Sequence, residues 1–171
     1  MTTHLLQREQ WLNTSLDEAW AFFSSPKNLD RITPPDLRFR ITSEDIDTMY
    51  AGQILTYRIK AVPGLWQNWV TEIKHVSDRA AFVDEQRFGP YQFWHHHHRF
   101  EARDGGVFMV DRVFYRLPFG PLGNLVHALY VKKKLNWIFD FRYQTLEAMF
   151  NQSTAPKSVG QAPRLDLESA V

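Results

Sequence analysis

Between Leu122 and Phe150 the chain carries no proline and a single glycine, Gly123. No other feature constrains the fold as strongly. Apolar residues recur through this stretch at Leu122, Leu125, Val126, Leu129, Leu135, Ile138, Phe139, Leu146 and Met149, which predicts one long amphipathic helix. At 1.5 Å per residue it is roughly 43 Å long, enough to cross a whole sheet. A helix with an apolar stripe must bury it against another layer, and what precedes this one reads as strands.

From Leu37 the hydrophobic period changes from about 3.6 to about 2, the period of a strand with one buried face. Apolar and basic residues alternate over 37–41, and Leu55, Tyr57 and Ile59 alternate with Thr56, Arg58 and Lys60. A Pro63-Gly64 turn leads to a strand over 66–76, with Trp69 and Ile73 as its inward pair. Further strands are predicted over 80–88, 91–102 and 107–117, separated by Gly89-Pro90 and by Asp104-Gly105-Gly106, a strong hairpin signal. Pro118-Phe119-Gly120-Pro121 stops the pattern. Upstream, a first strand ends at Asn13, and Ser15-Leu16-Asp17-Glu18 has the form of a capping box before a helix over 15–24. Pro26 opens a second short helix through Ile32, closed by Pro34-Pro35. The expected fold is α+β: a curved seven-stranded antiparallel sheet around a long C-terminal helix, with two short helices after the first strand. This helix-grip arrangement leaves a cavity where sheet and helix do not meet.

Length and composition agree with one domain. The chain has 171 residues, 44% hydrophobic and 23% charged, the balance of a folded protein. One domain is expected over 1–150, and 151–171, poor in apolar residues and without aromatics, is expected to be a disordered tail. A formal charge of +1 argues against a nucleic-acid partner, which calls for a basic excess. The absence of cysteine excludes disulfides, a thiol nucleophile and cysteine-based metal sites. The polar N-terminus lacks the apolar run of a signal peptide, and no run of eighteen apolar residues occurs, so the expectation is a cytoplasmic protein without stable membrane insertion. Phe, Trp and Tyr make up 15% of the chain, enough ring area for a dense core or a roomy apolar pocket.

Several strings carry a resemblance. They are Trp94-x-His96-x-His98-x-Phe100, preceded by Phe82-Val83-Asp84-Glu85-Gln86 and Gly89-Pro90-Tyr91, and Asp111-Arg112-Val113-x-Tyr115-Arg116-Leu117-Pro118. Ala21-Phe22-Phe23-Ser24 with Pro26, Leu29-x-x-Ile32-Thr33-Pro34-Pro35 and Phe139-x-x-Arg142 follow the same order. Together they resemble bacterial ligand-binding proteins of the START/Bet v 1-like (SRPBCC) superfamily, the polyketide cyclase/dehydrase and lipid transport group, over roughly residues 4–150. The resemblance implies an internal pocket for a hydrophobic or amphipathic small molecule such as a lipid, a quinone or a polyketide-like compound. It does not separate carriers, sensors and enzymes.

The residues with chemistry centre on four consecutive histidines, His95 to His98. Alternation along a strand directs Trp94, His96, His98 and Phe100 inward and leaves His95, His97 and Arg99 to solvent. A hairpin centred on Asp104-Gly105 sets His98 opposite Asp111 and His96 opposite Val113, and a turn around 88–91 sets His96 near Asp84 and Gln86 beside Trp94. Directly opposed side chains lie about 5 Å apart at Cβ, so Asp84, His96, His98 and Asp111 are expected to form one polar cluster on the concave face. A one-residue bulge scatters it.

Three readings fit that cluster: a satisfied buried network that fixes histidine tautomers, a set of convergent polar contacts at the end of an apolar pocket, and a general acid/base pair, His98 with Asp111 or His96 with Asp84, for a cyclase or dehydratase. Two His and two Asp are adequate metal ligands, yet no closed ligand spacing occurs in the sequence and the resembled family needs no metal, so neither metal nor cofactor is expected. The ligand-lining candidates are Tyr57, Trp69, Phe82, Gln86, Trp94, His96, His98, Asp111, Tyr115 and Arg142. Arg142 either lies on the surface with a snorkelling stem or turns inward to a carboxylate or an anionic ligand head. Lys132-Lys133-Lys134 reads as a solvated helix face. A homodimer packed through Phe108 and Phe114, and a regulatory module that meets a protein partner by its sheet edge or tail, complete the expectations.

Overall fold

In the computed structural model, residues 2–152 except 45, 46 and 63 are described. Pro63 of the expected turn, and the expected tail beyond Gln152, lie outside the described residues. Strands β1 (His4–Leu12), β2 (Arg40–Ile41), β3 (Ile54–Val62), β4 (Leu65–Ser77), β5 (Ala81–Phe88), β6 (Phe93–Arg103) and β7 (Gly106–Arg116) form one curved antiparallel sheet. Its order is β1-β7-β6-β5-β4-β3-β2. The long helix closes the concave side. Its segments Gly120–Val126, His127–Val131, Lys132–Leu146 and Glu147–Asn151 run on without a break for 32 residues, the second and fourth as π-helical turns.

Local chemistry explains most boundaries. Helix α1 (Leu16–Phe23) starts on the expected capping box: the Ser15 hydroxyl accepts from the Glu18 N–H, and the Glu18 carboxylate accepts from the Ser15 N–H. Between β6 and β7 the chain turns in two residues, Asp104 and Gly105, with φ of 52° and 75°. Positive φ at both central positions defines the type I′ turn that matches strand twist.

Two expectations need correction. The second short helix is two 3₁₀ turns, Pro26–Asn28 and Asp30–Ile32; seven residues between Pro26 and Pro34 leave room for less than two α-helical turns. The strand expected over 37–41 contains only Arg40–Ile41. Pro35–Leu37 form another 3₁₀ turn, and Arg38, left-handed at φ 46°, breaks the alternation while Leu37 is buried.

The core draws on the helix unevenly. Leu146 and Phe150 pack with Leu12, Ala19, Phe23, Phe82, Phe100 and Met109, while Val131, Leu135, Ile138 and Phe139 pack with Leu6, Trp94, Val113 and Tyr115. Leu122, Leu125, Val126 and Leu129, in the first turns of the helix, are exposed. The first turns of the helix therefore contribute little to these clusters. Among the described residues no helix is long and apolar enough to cross a membrane.

Candidate functional site

Between the helix and the concave face of the sheet lies a cavity of about 260 Å³. The 3₁₀ segment supplies Leu29, Ile32 and Leu37 to its wall, β3 and β4 supply Leu55, Tyr57, Trp69 and Ile73, and the helix supplies Leu135, Ile138 and Phe139. One set of polar groups in the lining is Asp84 on β5, His96 and His98 on β6, and Arg142 from the helix. Lys134 also lines the cavity, two helical turns from Arg142.

The histidines reach this wall through an unbroken ladder. Bulges interrupt the pairing of β3 with β4 and of β4 with β5, but β5, β6 and β7 pair without a shift, with Asp84 opposite His96 and His98 opposite Asp111. Alternation turns His96 and His98 inward, 4% and 6% exposed. His95, on the other face, meets Glu85 at 2.9 Å.

The side chains then cross diagonally rather than pairing straight across. His96 Nε2 donates to Asp111 Oδ1 at 3.0 Å, and His98 Nε2 donates to Asp84 Oδ2 at 2.8 Å. The second nitrogen of each ring faces the other carboxylate. His96 Nδ1 is 3.5 Å from Asp84 Oδ2, and His98 Nδ1 is 2.8 Å from Asp111 Oδ1. That last contact is close but poorly aligned for a hydrogen bond, so it acts through charge. The two imidazoles lie with centroids 3.7 Å apart, and Phe82 stacks on His98 at 4.0 Å.

Arg142 resolves to the inward alternative. Its Nη1 is 3.7 Å from Asp111 Oδ2, its side chain is 11% exposed, and its guanidinium lies 4.8 Å from the centroid of the Phe139 ring.

Burial and neighbouring charge pull these groups in opposite directions. Burial alone raises Asp111, but the charge of His98 and the hydrogen bond from His96 outweigh it and hold the carboxyl well below its ordinary range. Asp84 is lowered too: His96, His98 and Arg142 together overcome the effect of burial. Burial depresses His98, yet Asp111 and Asp84 outweigh it and raise the imidazole. His96 goes the other way, lowered first by burial and then by the His98 charge. The cluster thus sets the two carboxylates against His98 and Arg142. Nearby, burial first and Asp84 second push the Tyr57 hydroxyl far up, so it stays a neutral donor.

Of the lining candidates read from sequence, Tyr57, Trp69, Phe82, Trp94, His96, His98 and Arg142 border the cavity. Gln86, Asp111 and Tyr115 do not. The Gln86 amide donates to the Tyr91 carbonyl at 2.6 Å and accepts from the Tyr91 N–H at 3.2 Å, clamping the β5–β6 turn. The Tyr115 hydroxyl is 2.8 Å from His127 Nε2 and ties β7 to the helix. Asp111, fully buried, stands behind the histidines. Sequence reading missed the aliphatic wall from the 3₁₀ segment, which has no period to mark it. It also missed Lys134, which sits inside a lysine run that otherwise reads as solvent-facing. Burial lowers its ammonium, against the opposing pull of Asp36.

No family model matches the chain, and no curated protein matches it. Solved structures do. A crystal structure of TTHA0849 from Thermus thermophilus superposes with a TM-score of 0.60 at 16% identity, covering 85% of this chain and 95% of that one. Ginseng major latex-like protein 151 from Panax ginseng gives 0.63 at 10% identity, covering 87% and 98%. Ara h 8.0201 gives 0.57 at 17% identity, covering 86% and 99%. Identities this low carry the fold and nothing of the ligand. The architecture is the Bet v 1-like helix-grip fold expected from the sequence.

Proposed function

We propose that this protein binds a hydrophobic small molecule with a polar head, such as a lipid, quinone or polyketide-like compound, between its sheet and its long helix. The observation that carries this reading is the cavity itself: about 260 Å³, walled chiefly by aliphatic and aromatic side chains, with a few charged groups, among them Asp84, Arg142 and Lys134, in its lining. Apolar burial supplies the affinity, at about 25 cal/mol per Å² removed from water. The few polar groups set orientation, the usual division of labour in ligand sites. Arg142 and Lys134 favour an anionic or carbonyl-bearing head, since both are donors without acceptor capacity.

The test has two arms. Mass spectrometry on an organic extract of the purified full chain identifies any resident molecule. Fluorescence titration with the apolar anion 8-anilinonaphthalene-1-sulfonate measures access to the cavity, with Ile138→Trp as the variant that fills it. Saturable binding that weakens at least tenfold in Ile138→Trp, with the melting temperature kept, supports the proposal. No extractable apolar molecule together with no saturable dye binding overturns it, and so does equal dye binding in both proteins.

A further inference from the structure

We propose that Asp84, His96 and His98 form a site for a first-row divalent transition-metal ion of the zinc or iron(II) class, open to the cavity. The three side chains offer ligand atoms that all lie within 4.8 Å of one another. Asp84 Oδ2 is the common corner, 2.8 Å from His98 Nε2 and 3.5 Å from His96 Nδ1. Two donors bound to one ion at 2.0–2.1 Å with tetrahedral angles are about 3.4 Å apart; the Asp84–His96 edge is close to that length, and the Asp84–His98 edge must open to reach it.

The surroundings strengthen the assignment. Metal-bound histidines characteristically direct their second nitrogen to a carboxylate that fixes tautomer and orientation. His96 does this through Nε2, which donates to Asp111 Oδ1 at 3.0 Å, and His98 Nδ1 lies 2.8 Å from the same oxygen without the alignment of a hydrogen bond. Asp111 is fully buried and outside the cavity lining, whereas Asp84, His96 and His98 line it. The arrangement thus divides into three inner donors facing the cavity and one carboxylate behind them. The two rings, tilted by 35° with centroids 3.7 Å apart, bring one nitrogen of each to the same Asp84 oxygen.

The donor set selects the ion. Two imidazoles and one carboxylate suit zinc, iron(II) or cobalt and do not suit calcium or magnesium, which take oxygen ligands. Three protein ligands leave coordination positions free, and free positions on the cavity side can accept a ligand's polar head or water. Metal binding by these side chains does not depend on the apolar ligand reading, and either can fail without the other.

The experiment uses the full chain without a polyhistidine tag, stripped with EDTA and exchanged into metal-free buffer. Isothermal titration with Zn²⁺, and visible absorption on adding Co²⁺, report stoichiometry and ligand type. One ion per chain is expected, retained in His95→Ala/His97→Ala. Binding should weaken at least 100-fold in Asp84→Asn and in His98→Ala, and by about 10–100-fold in Asp111→Asn, the range for loss of a carboxylate behind the ligands. Because a buried variant can fail to fold, imidazole ¹⁵N spectra of the wild type provide a second readout. Zn²⁺ must move His96 Nδ1 and His98 Nε2 to metal-bound shifts and leave His95 and His97 unchanged. The proposal is overturned by absence of stoichiometric binding in the wild type, by loss of binding in the His95/His97 variant, or by spectra in which His96 and His98 do not respond.

Discussion

Asp111→Asn, measured in metal-free protein, tests the electrostatic core of the site. The Asp111 carboxylate is fully buried and faces His96 Nε2 at 3.0 Å, His98 Nδ1 at 2.8 Å and Arg142 Nη1 at 3.7 Å. Removing one partner of a buried ion pair costs about 3–5 kcal/mol, because the remaining charge is left without compensation. Two features reduce that figure. The asparagine carbonyl still accepts from His96 Nε2, and His98 can shed its proton once the carboxylate beside it is gone. A loss of about 3 kcal/mol is therefore expected, which lowers the melting temperature by roughly 6–12 °C at 2–4 °C per kcal/mol for a domain of this size. Urea denaturation at pH 7 gives the free energy, and an unchanged m-value confirms that the variant unfolds from the same native state. Asp140→Asn is the control. Its carboxylate is 61% exposed and meets Arg8 at 3.3 Å, so it should change stability by less than about 1 kcal/mol. A double-mutant cycle of Asp111→Asn with His98→Gln should return a coupling above about 1 kcal/mol. If Asp111→Asn costs no more than Asp140→Asn, or the coupling is nil, the charge balance described for this cluster is wrong.

Further expectations follow from single contacts. Tyr115→Phe removes the 2.8 Å hydrogen bond to His127 and should cost about 1 kcal/mol in urea unfolding. Because Tyr115 lies outside the cavity lining, dye affinity should stay within twofold, and a larger drop would bring this residue into the ligand site. Lys134→Gln should lower affinity for the anionic dye several-fold and leave a neutral apolar probe unaffected, as titration of both probes will show; an equal loss for both would remove the charge argument. Gly123→Ala should destabilise by about 1–3 kcal/mol, since a Cβ there meets the Pro118 carbonyl oxygen and backbone must shift to admit it. Differential scanning calorimetry that finds Gly123→Ala as stable as the wild type would show that the start of the long helix can move freely.

The fold was legible because its signals are periodic. Alternation set strand positions, Asp104-Gly105 set the β6–β7 hairpin and hence every pairing between those strands, and Ser15 with Glu18 set the start of α1. What failed was aperiodic. The segment from Pro26 to Arg38 is built from 3₁₀ turns and a left-handed residue, and three-residue elements have no period to detect. The long helix begins where expected, but the exposure of its first turns was not legible, for a different reason. Leu122, Leu125 and Leu129 have helical spacing, but spacing says only that residues share a face and not that another layer lies beneath it. Their exposure shows a helix that continues past the clusters it helps to build.

The polar site divides along the same line. That His96 and His98 face inward and lie between Asp84 and Asp111 follows from a period of two and an unshifted register. The diagonal crossing does not, because it depends on ring rotation about χ1 and χ2, which backbone pairing leaves free. Straight pairing would make two separate His–Asp couples, the arrangement expected of a general acid/base pair. The observed crossing instead gives each imidazole a nitrogen on both carboxylates and makes Asp111 a shared anchor. A separate couple can release a proton to substrate without disturbing its neighbour, whereas in the crossed cluster a proton lost from His98 changes the field at His96, Asp84 and Asp111 together. Such a cluster ties each proton to the charge of the other three groups, and Asp84 is its corner on the cavity, where the proposed metal ion would meet it.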